Sequence, residues 1–407
     1  MNKLELLSPA GDMSKLKTAF YFGADAVYVG GKSLSLRALA GNFDENELVE
    51  AVRFAHDLGK KLYVTVNIFA RNYDLEKAEN YFKFLESINV DGAIISDPGL
   101  IYLARQVAPN LPINISTQAN TLNYKTVEFW QKVGVKRVIL ARELSLKEIT
   151  EIHEKVPDME IETFIHGAMC ISYSGRCLLS DYKTGRSSNR GACVQACRWN
   201  FEIREKGSDG EFMEMQEDER GTYIMNSKDL NLLDYIDDLA KAGVISFKIE
   251  GRMKSEYYLA TVVNAYRRAI DSYYKNGSDY KKDSLFQEEL LKTAHRDFTT
   301  AYLLGDNDRT VNYNDSQSKG TYKYIANVLE DSKNGYALIE MRNRFKVGDE
   351  LEVLSPSESF LKEIKVDKMT DEDGVEILDA KNVQQKIKLY TNVPLCSGDI
   401  LRIKIEE

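Results

Sequence analysis

Four of the five cysteines in this chain fall within twenty-eight residues, at Cys170, Cys177, Cys193 and Cys197, with six, fifteen and three residues between them. Thiolates are soft ligands that select zinc or an iron–sulfur cluster. Zinc ribbons use knuckles of two close cysteines, and here only the last pair is close, so the spacing leans toward a cluster and leaves zinc as the alternative. The intervening Ser174-Gly175-Arg176 and Ser187-Ser188-Asn189-Arg190-Gly191 are polar, which argues against four unlinked core thiols. Cys396, far away, reads as an ordinary buried thiol. A disulfide framework would need spread pairs in a small secreted chain, and this chain has neither.

Beside the thiols, residues 182–201 contain Lys183, Arg186, Arg190 and Arg198 and no acid, with Tyr173, Tyr182 and Trp199 around them. Cations interleaved with aromatic faces suit unpaired nucleic acid, because phosphates pair with the charges while bases stack on the rings. A solvated charged loop is the commoner outcome for such a run. Its place next to the cysteines raises the RNA reading beside that outcome.

These residues need elements to position them. A helix ending at glycine, a short link and a β-branched run recur at Gly23-Ala24-Asp25-Ala26-Val27-Tyr28-Val29, at Gly134 to Leu140 and at Gly243 to Ile249. Glycine supplies the left-handed cap and the run that follows is a buried parallel strand. Eight such strands are expected, near 4–7, 26–30, 61–67, 92–96, 113–117, 137–141, 160–165 and 245–249, with helix starts at Asp44/Glu47 and at the capping box Ser145-Leu146-Lys147-Glu148. Eight strands alternating with helices predict an α/β fold, a TIM-type (β/α)8 barrel, with a doubly wound open sheet as the competitor.

The interval after the seventh strand is far longer than a crossover needs, and it carries the cysteines as an insertion at about 168–225. The barrel is expected over 1–304, a polar linker over 305–320, and a small antiparallel β-barrel over 321–407, where short alternating strands are separated by Lys333-Asn334-Gly335, Val347-Gly348-Asp349, Glu372-Asp373-Gly374 and Ser397-Gly398-Asp399.

Active sites of such barrels form at the C-terminal strand ends. The polar residues there are Ser8, Asn67, Asp97, Gln118, Arg142, His166, Lys248, Glu250 and Arg252. Asp97 and Ser8, each before a proline, suit helix caps. Lys248, Glu250 and Arg252 alternate at one strand end and so point one way; with His166 they supply the candidate catalytic set His166, Lys248 and Glu250. A satisfied core histidine is the alternative for His166.

The chain has 407 residues with 43% hydrophobic and 29% charged side chains, an ordinary globular composition with room for two or three domains. The net charge of −9 argues against coating nucleic acid over the whole surface and leaves a local basic site. No apolar stretch is long enough to cross a bilayer, so a cytoplasmic location is expected.

The stretch Glu162-Thr163-Phe164-Ile165-His166-Gly167-Ala168-Met169-Cys170-Ile171-Ser172-Tyr173-Ser174-Gly175-Arg176-Cys177-Leu178-Leu179-Ser180 resembles the signature of the peptidase U32 (collagenase-like) family. Leu7-Ser8-Pro9-Ala10-Gly11, Ser116-Thr117-Gln118, Asn226-Ser227-Lys228-Asp229-Leu230 and Lys248-Ile249-Glu250-Gly251-Arg252-Met253-Lys254-Ser255 look like further family segments, and the likeness runs the full length. The Cys193/Cys197 pair followed by Arg198-Trp199 is similar to the branch of that family that hydroxylates tRNA.

That resemblance implies formation of 5-hydroxyuridine at the wobble position without molecular oxygen, with hydroxyl taken from prephenate and a 4Fe-4S cluster on Cys170, Cys177, Cys193 and Cys197. The implied partners are the tRNA anticodon arm, a small carboxylate metabolite and, as in some relatives, a paralogous U32-family subunit. Substrate contacts would fall to Arg142, Gln118, Arg252, Lys183, Arg186, Arg190 and Trp199, the two carboxylates of prephenate suiting Arg142, Lys248 or Arg252.

Two other functions compete. A peptidase, the family's historical label, has no His-Glu-x-x-His or Gly-x-Ser-x-Gly motif among its four histidines and would need Cys170 near His166 as nucleophile and base. A noncatalytic RNA-binding protein with a structural metal is the third reading.

Overall fold

The computed structural model describes residues 3–32, 34–35, 41–170, 172–173, 176–186, 188, 193–196, 227–305 and 318–405. They form two compact units, 1–16 with 25–253 and 296–317, and 17–24 with 254–295 and 318–407.

In the first unit, β1 (Glu5–Pro9), β2 (Ala26–Gly30), β3 (Lys61–Val66), β4 (Gly92–Ile95), β5 (Ile113–Ile115), β6 (Arg137–Ile139) and β7 (Glu160–Ala168) pair in parallel, each with the next. The short β8 (Asp229–Asn231) is antiparallel to β7. Then β9 (Val244–Ile249) pairs in parallel with both β7 and β1, closing an eight-stranded β/α barrel. A two-residue strand, β10 (Phe298–Thr299), extends the sheet beside β8. The eight barrel strands coincide with the eight apolar runs of the sequence. Their residues are almost all buried, as expected of parallel strands covered on both faces.

The helices are α1 (Met13–Tyr21), α2 (Glu45–Asp57), α3 (Leu75–Ser87), α4 (Pro98–Val107), α5 (Tyr124–Lys132), α6 (Leu146–Lys155), α7 (Leu179–Thr184), α8 (Ile236–Lys241), α9 (Glu256–Asn276) and α10 (Ser284–Leu291). Reciprocal capping boxes start α2 at Asp44/Glu47 and α6 at Ser145/Glu148, and Asp97 caps α4. The glycines read as left-handed caps have φ of 105° at Gly23, 80° at Gly134 and 90° at Gly243. At Gly243 a methyl group would run into the His153 ring.

In the second unit, seven antiparallel strands, among them β11 (Tyr322–Val328), β12 (Tyr336–Met341), β14 (Glu350–Leu354), β18 (Lys386–Tyr390) and β19 (Ile400–Lys404), form a half-barrel whose edge strands do not pair with each other among the described residues. Its interior is an apolar cluster that includes Ile325, Ile339, Val353, Ile387 and Leu401. Helices α9 and α10 belong to this unit, whereas the sequence assigns everything up to 304 to the barrel. The reason is ionic as well as apolar. Buried Arg402 on β19 donates to Glu289 of α10 at 2.7 and 2.9 Å and to Glu352 on β14 at 2.7 Å. Lys292 joins Glu352 at 2.8 Å, and the Arg268 guanidinium of α9 stacks on Phe360 at 4.0 Å. Tyr21 reaches Asp399 at 2.9 Å, which ties the 17–24 segment to the same unit. No helix among the described residues is long and apolar enough to cross a membrane.

Candidate functional site

Two polar layers occupy the barrel interior. The lower one sits at the strand starts, where Arg137, the first residue of β6, lies between Glu5 at 2.5 Å and Glu162 at 3.1 Å and also binds Glu160 at 2.9 Å. Ser246 Oγ lies within hydrogen-bond distance of both Glu5 and Glu162, at 3.0 and 3.1 Å, and its one proton is shared between them. Burial alone would raise the Glu5 carboxyl, but the Arg137 guanidinium outweighs it and holds Glu5 below the ordinary carboxylate range. Lys248 belongs to this network: its Nζ donates to Glu162 at 2.8 Å and lies 4.4 Å from the centre of the Tyr28 ring.

The upper layer is at the C-terminal strand ends. The Tyr28 hydroxyl donates to the Ile249 carbonyl at 2.9 Å and stands 3.3 Å from Glu250 Oε2, so alternation along β9 does bring Lys248 and Glu250 to the same ring. Arg252 is buried, with Nη1 donating to Thr65 at 3.1 Å and Nη2 to Ser35 at 3.0 Å. Gly30 makes room for that guanidinium, because a side chain there would strike Arg252 Nη1. His166 is 2% exposed with its ring 5.6 Å from that of Phe298, and its carbonyl accepts the Glu250 amide at 2.8 Å. Arg142 donates to the Ala168 carbonyl at 3.0 Å beneath the end of β7 and lies 5.4 Å from the Phe164 ring centre. Gln118 is buried in the turn after β5, capped by Ser116.

The cysteine segment leaves β7 at this same end. Cys170 and Cys193 are exposed and Cys177 is half-buried, and all three are free thiols. Ser188 Oγ donates to the Cys177 carbonyl at 2.7 Å and the Val194 amide donates to Ser180 Oγ at 3.2 Å. These two bonds tie the stretch carrying Cys177 to the stretch carrying Cys193. Arg176 anchors the segment to the rim, with Nε on Asn120 at 2.9 Å and its guanidinium 5.7 Å from the Phe69 ring centre. Cys197, Arg190 and Trp199 lie outside the described residues. Among the described residues no three His, Cys, Asp or Glu side chains are grouped to hold a metal. Three free thiols, two of them in stretches tied to each other, are nevertheless the donor chemistry that an iron–sulfur cluster or zinc requires. Lys183 on α7 and Arg186 after it are exposed.

A cavity of ≈ 110 Å³ opens beside Cys170, lined also by Glu143, Met169, Ser172, Tyr173, Ser227 and Tyr302. Burial pushes the Glu143 carboxyl up, against the pull of Arg142 and two backbone amides. Sequence reasoning missed Glu143, Tyr28, Ser35 and Tyr302. Glu143 follows Arg142 at a strand end and was findable by the rule that found Arg142; Ser35 and Tyr302 carry no such signal, since only the fold brings them to the rim.

Residues 11–313 match peptidase family U32 and residues 320–402 match the peptidase family U32 C-terminal domain. The chain is similar to tRNA hydroxylation protein P1 of Bacillus subtilis, 43% identical, with 98% of this chain and 94% of that protein covered. It is similar to tRNA hydroxylation protein P of Escherichia coli at 41% identity, covering 88% and 87%. A collagenase of Porphyromonas gingivalis is 30% identical, covering 96% and 98%. With the signature around Cys170 seated on the seventh strand of a closed barrel and both family segments matched in order, this chain belongs to peptidase family U32.

Proposed function

We propose that this protein is a tRNA-modifying enzyme that forms 5-hydroxyuridine at the wobble position, independently of molecular oxygen and with prephenate as the source of the hydroxyl group. The observation that carries the reading is the end-to-end likeness to tRNA hydroxylation proteins, at an identity well above that to the collagenase. A cytoplasmic location follows from the substrate.

Cys170, Cys177, Cys193 and Cys197 would hold a 4Fe-4S cluster, which when bound supplies electron transfer or fixes the segment at the barrel rim. The chain's own residues do the rest. Lys183 and Arg186, with Arg190 and Trp199, grip the anticodon arm through phosphates and stacking. Arg252 and Arg142, at the C-terminal strand ends, are the cations for a small dicarboxylate, while Lys248 is held below them by Glu162. Glu250, joined through the backbone to the buried His166 at the end of β7, is the group available to move a proton.

Two measurements test this. Wobble nucleosides from a strain lacking the gene and any redundant pathway should contain no 5-hydroxyuridine or its derivatives; unchanged tRNA rejects the activity. Protein purified without air should be brown and contain iron and sulfide, and Cys177→Ser should lose most of both; a colourless zinc protein rejects the cluster. Adding a paralogous subunit to purified chain tests whether one chain suffices.

The collagenase likeness favours a second reading, a peptidase using Cys170. The His166 ring packs against Phe298 and is almost fully buried, a poor placing for a base that must meet a peptide. Cleavage of a collagen-like peptide by metal-free protein, abolished by Cys170→Ser, would establish it.

A further inference from the structure

The cavity beside Cys170 has a composition that neither the cysteines nor the polar strand ends explain. Two of its lining residues are buried, the apolar Met169 at 6% and the polar Ser227 at 3% exposed. Its rim carries Cys170 and the half-exposed ring of Tyr173, and its wall carries the Glu143 carboxyl and Tyr302. At ≈ 110 Å³ it is far below the roughly 300–1,000 Å³ of pockets that enclose whole ligands, so it suits one flat ring and not a nucleotide or a peptide segment. Glu143 is the charged residue in the lining, which disfavours a second carboxylate inside the cavity itself.

Enzymes that act on a base draw it out of the stack and read its pairing edge with hydrogen bonds. In its ionised form Glu143 offers an acceptor, and Ser227 and Tyr302 carry hydroxyls that can donate. Uracil presents the complement, one ring N3–H between two carbonyls. Cytosine presents a bare N3, an acceptor that would face the carboxylate without a proton between them, and its only donor on that edge is the neighbouring 4-amino group. We propose that this cavity receives the extruded substrate base and that Glu143, accepting the N3–H, selects uridine over cytidine. The inference rests on the reading that the substrate is a tRNA wobble uridine, and it adds the residue that sets base identity.

The test is fluorescence anisotropy of the full chain with anticodon stem-loop RNAs that differ only at the wobble base, carrying uridine, cytidine or N3-methyluridine. The wild-type protein should bind the uridine RNA more tightly than the other two, by on the order of tenfold, the worth of a hydrogen bond to a charged group. Glu143→Gln should bring uridine and cytidine close to parity while the thermal midpoint stays near wild type, and Glu143→Asp, which keeps the acceptor, should retain the preference. Equal binding of uridine and N3-methyluridine by the wild-type protein overturns the assignment whether or not any variant folds. An unchanged uridine preference in folded Glu143→Gln overturns it as well. Failure of the wild-type chain to bind any of the stem-loops rejects the tRNA reading itself.

Discussion

Arg137 is the residue on which the barrel's interior charge depends. Its guanidinium is 4% exposed and meets three carboxylates, two of them buried. Removing it leaves two buried carboxylates with only Lys248 on Glu162 and the half-exposed Lys61 on Glu5, so Arg137→Met should destabilise the protein by about 3–5 kcal/mol, the range for breaking a buried pair on one side. Urea unfolding at neutral pH measures this; a loss under 1 kcal/mol would show that Lys248 and Lys61 suffice. The same contact sets a pH dependence. Glu5 is depressed below its ordinary 4.5, so its contribution is complete above that value and is lost as pH falls through the lower folded value. Glu5→Gln should flatten the acid limb of the stability curve below about pH 4.5 and leave its slope above pH 6 alone. The sequence names Lys248 for the mouth. In the fold its Nζ is taken by Glu162, a residue that in sequence is one more acid inside a strand.

At the scale of elements, the strand β7 shows how the candidate site is held. Gly167 has φ of 107°, and a side chain there would strike the Glu250 carbonyl, so the end of β7 and the segment after β9 approach as closely as backbone allows. Gly59, at φ 65°, faces open space. Gly59→Ala should therefore cost only the left-handed penalty of about 1–2 kcal/mol, whereas Gly167→Ala should cost clearly more and shift the spectroscopic environment of Tyr28. Thermal unfolding of the two variants side by side checks this; equal losses would mean that the approach relaxes without strain.

The eight barrel strands were legible because each is a short apolar run, and β2, β3, β6 and β9 follow a left-handed glycine, Gly23, Gly59, Gly134 and Gly243, a signal made locally by chain stereochemistry. The half-barrel's turns were legible for the same reason, Gly374 and Gly398 having φ of 86° and 99°. The membership of α9 and α10 was not legible, because it is decided by Arg402 meeting Glu289 across more than one hundred residues of chain. Of the candidate site, the strand-end rule found Arg142, His166, Glu250 and Arg252, while their partners Ser35 and Thr65 are ordinary hydroxyls until folding delivers them to Arg252.

At the scale of the whole molecule, the second unit draws on three stretches of chain, so ending the protein at residue 317 would remove the strands that α9 and α10 are built to cover. Glu289, 1% exposed in its pair with Arg402, would be left buried or forced into water. Such a truncated chain should be poorly soluble and bind a hydrophobic dye strongly; a monomeric, cooperatively melting fragment would contradict the shared core.

The cylinder's seam has a consequence for how the protein is made. Its last stave, Val244–Ile249, is the one that joins the first to the seventh, and it is translated after every cysteine of the 170–197 segment. On the ribosome the thiols are thus synthesised while the ring is still an unsealed ribbon of strands, and any inorganic centre they acquire can be assembled from the open side before the ring shuts.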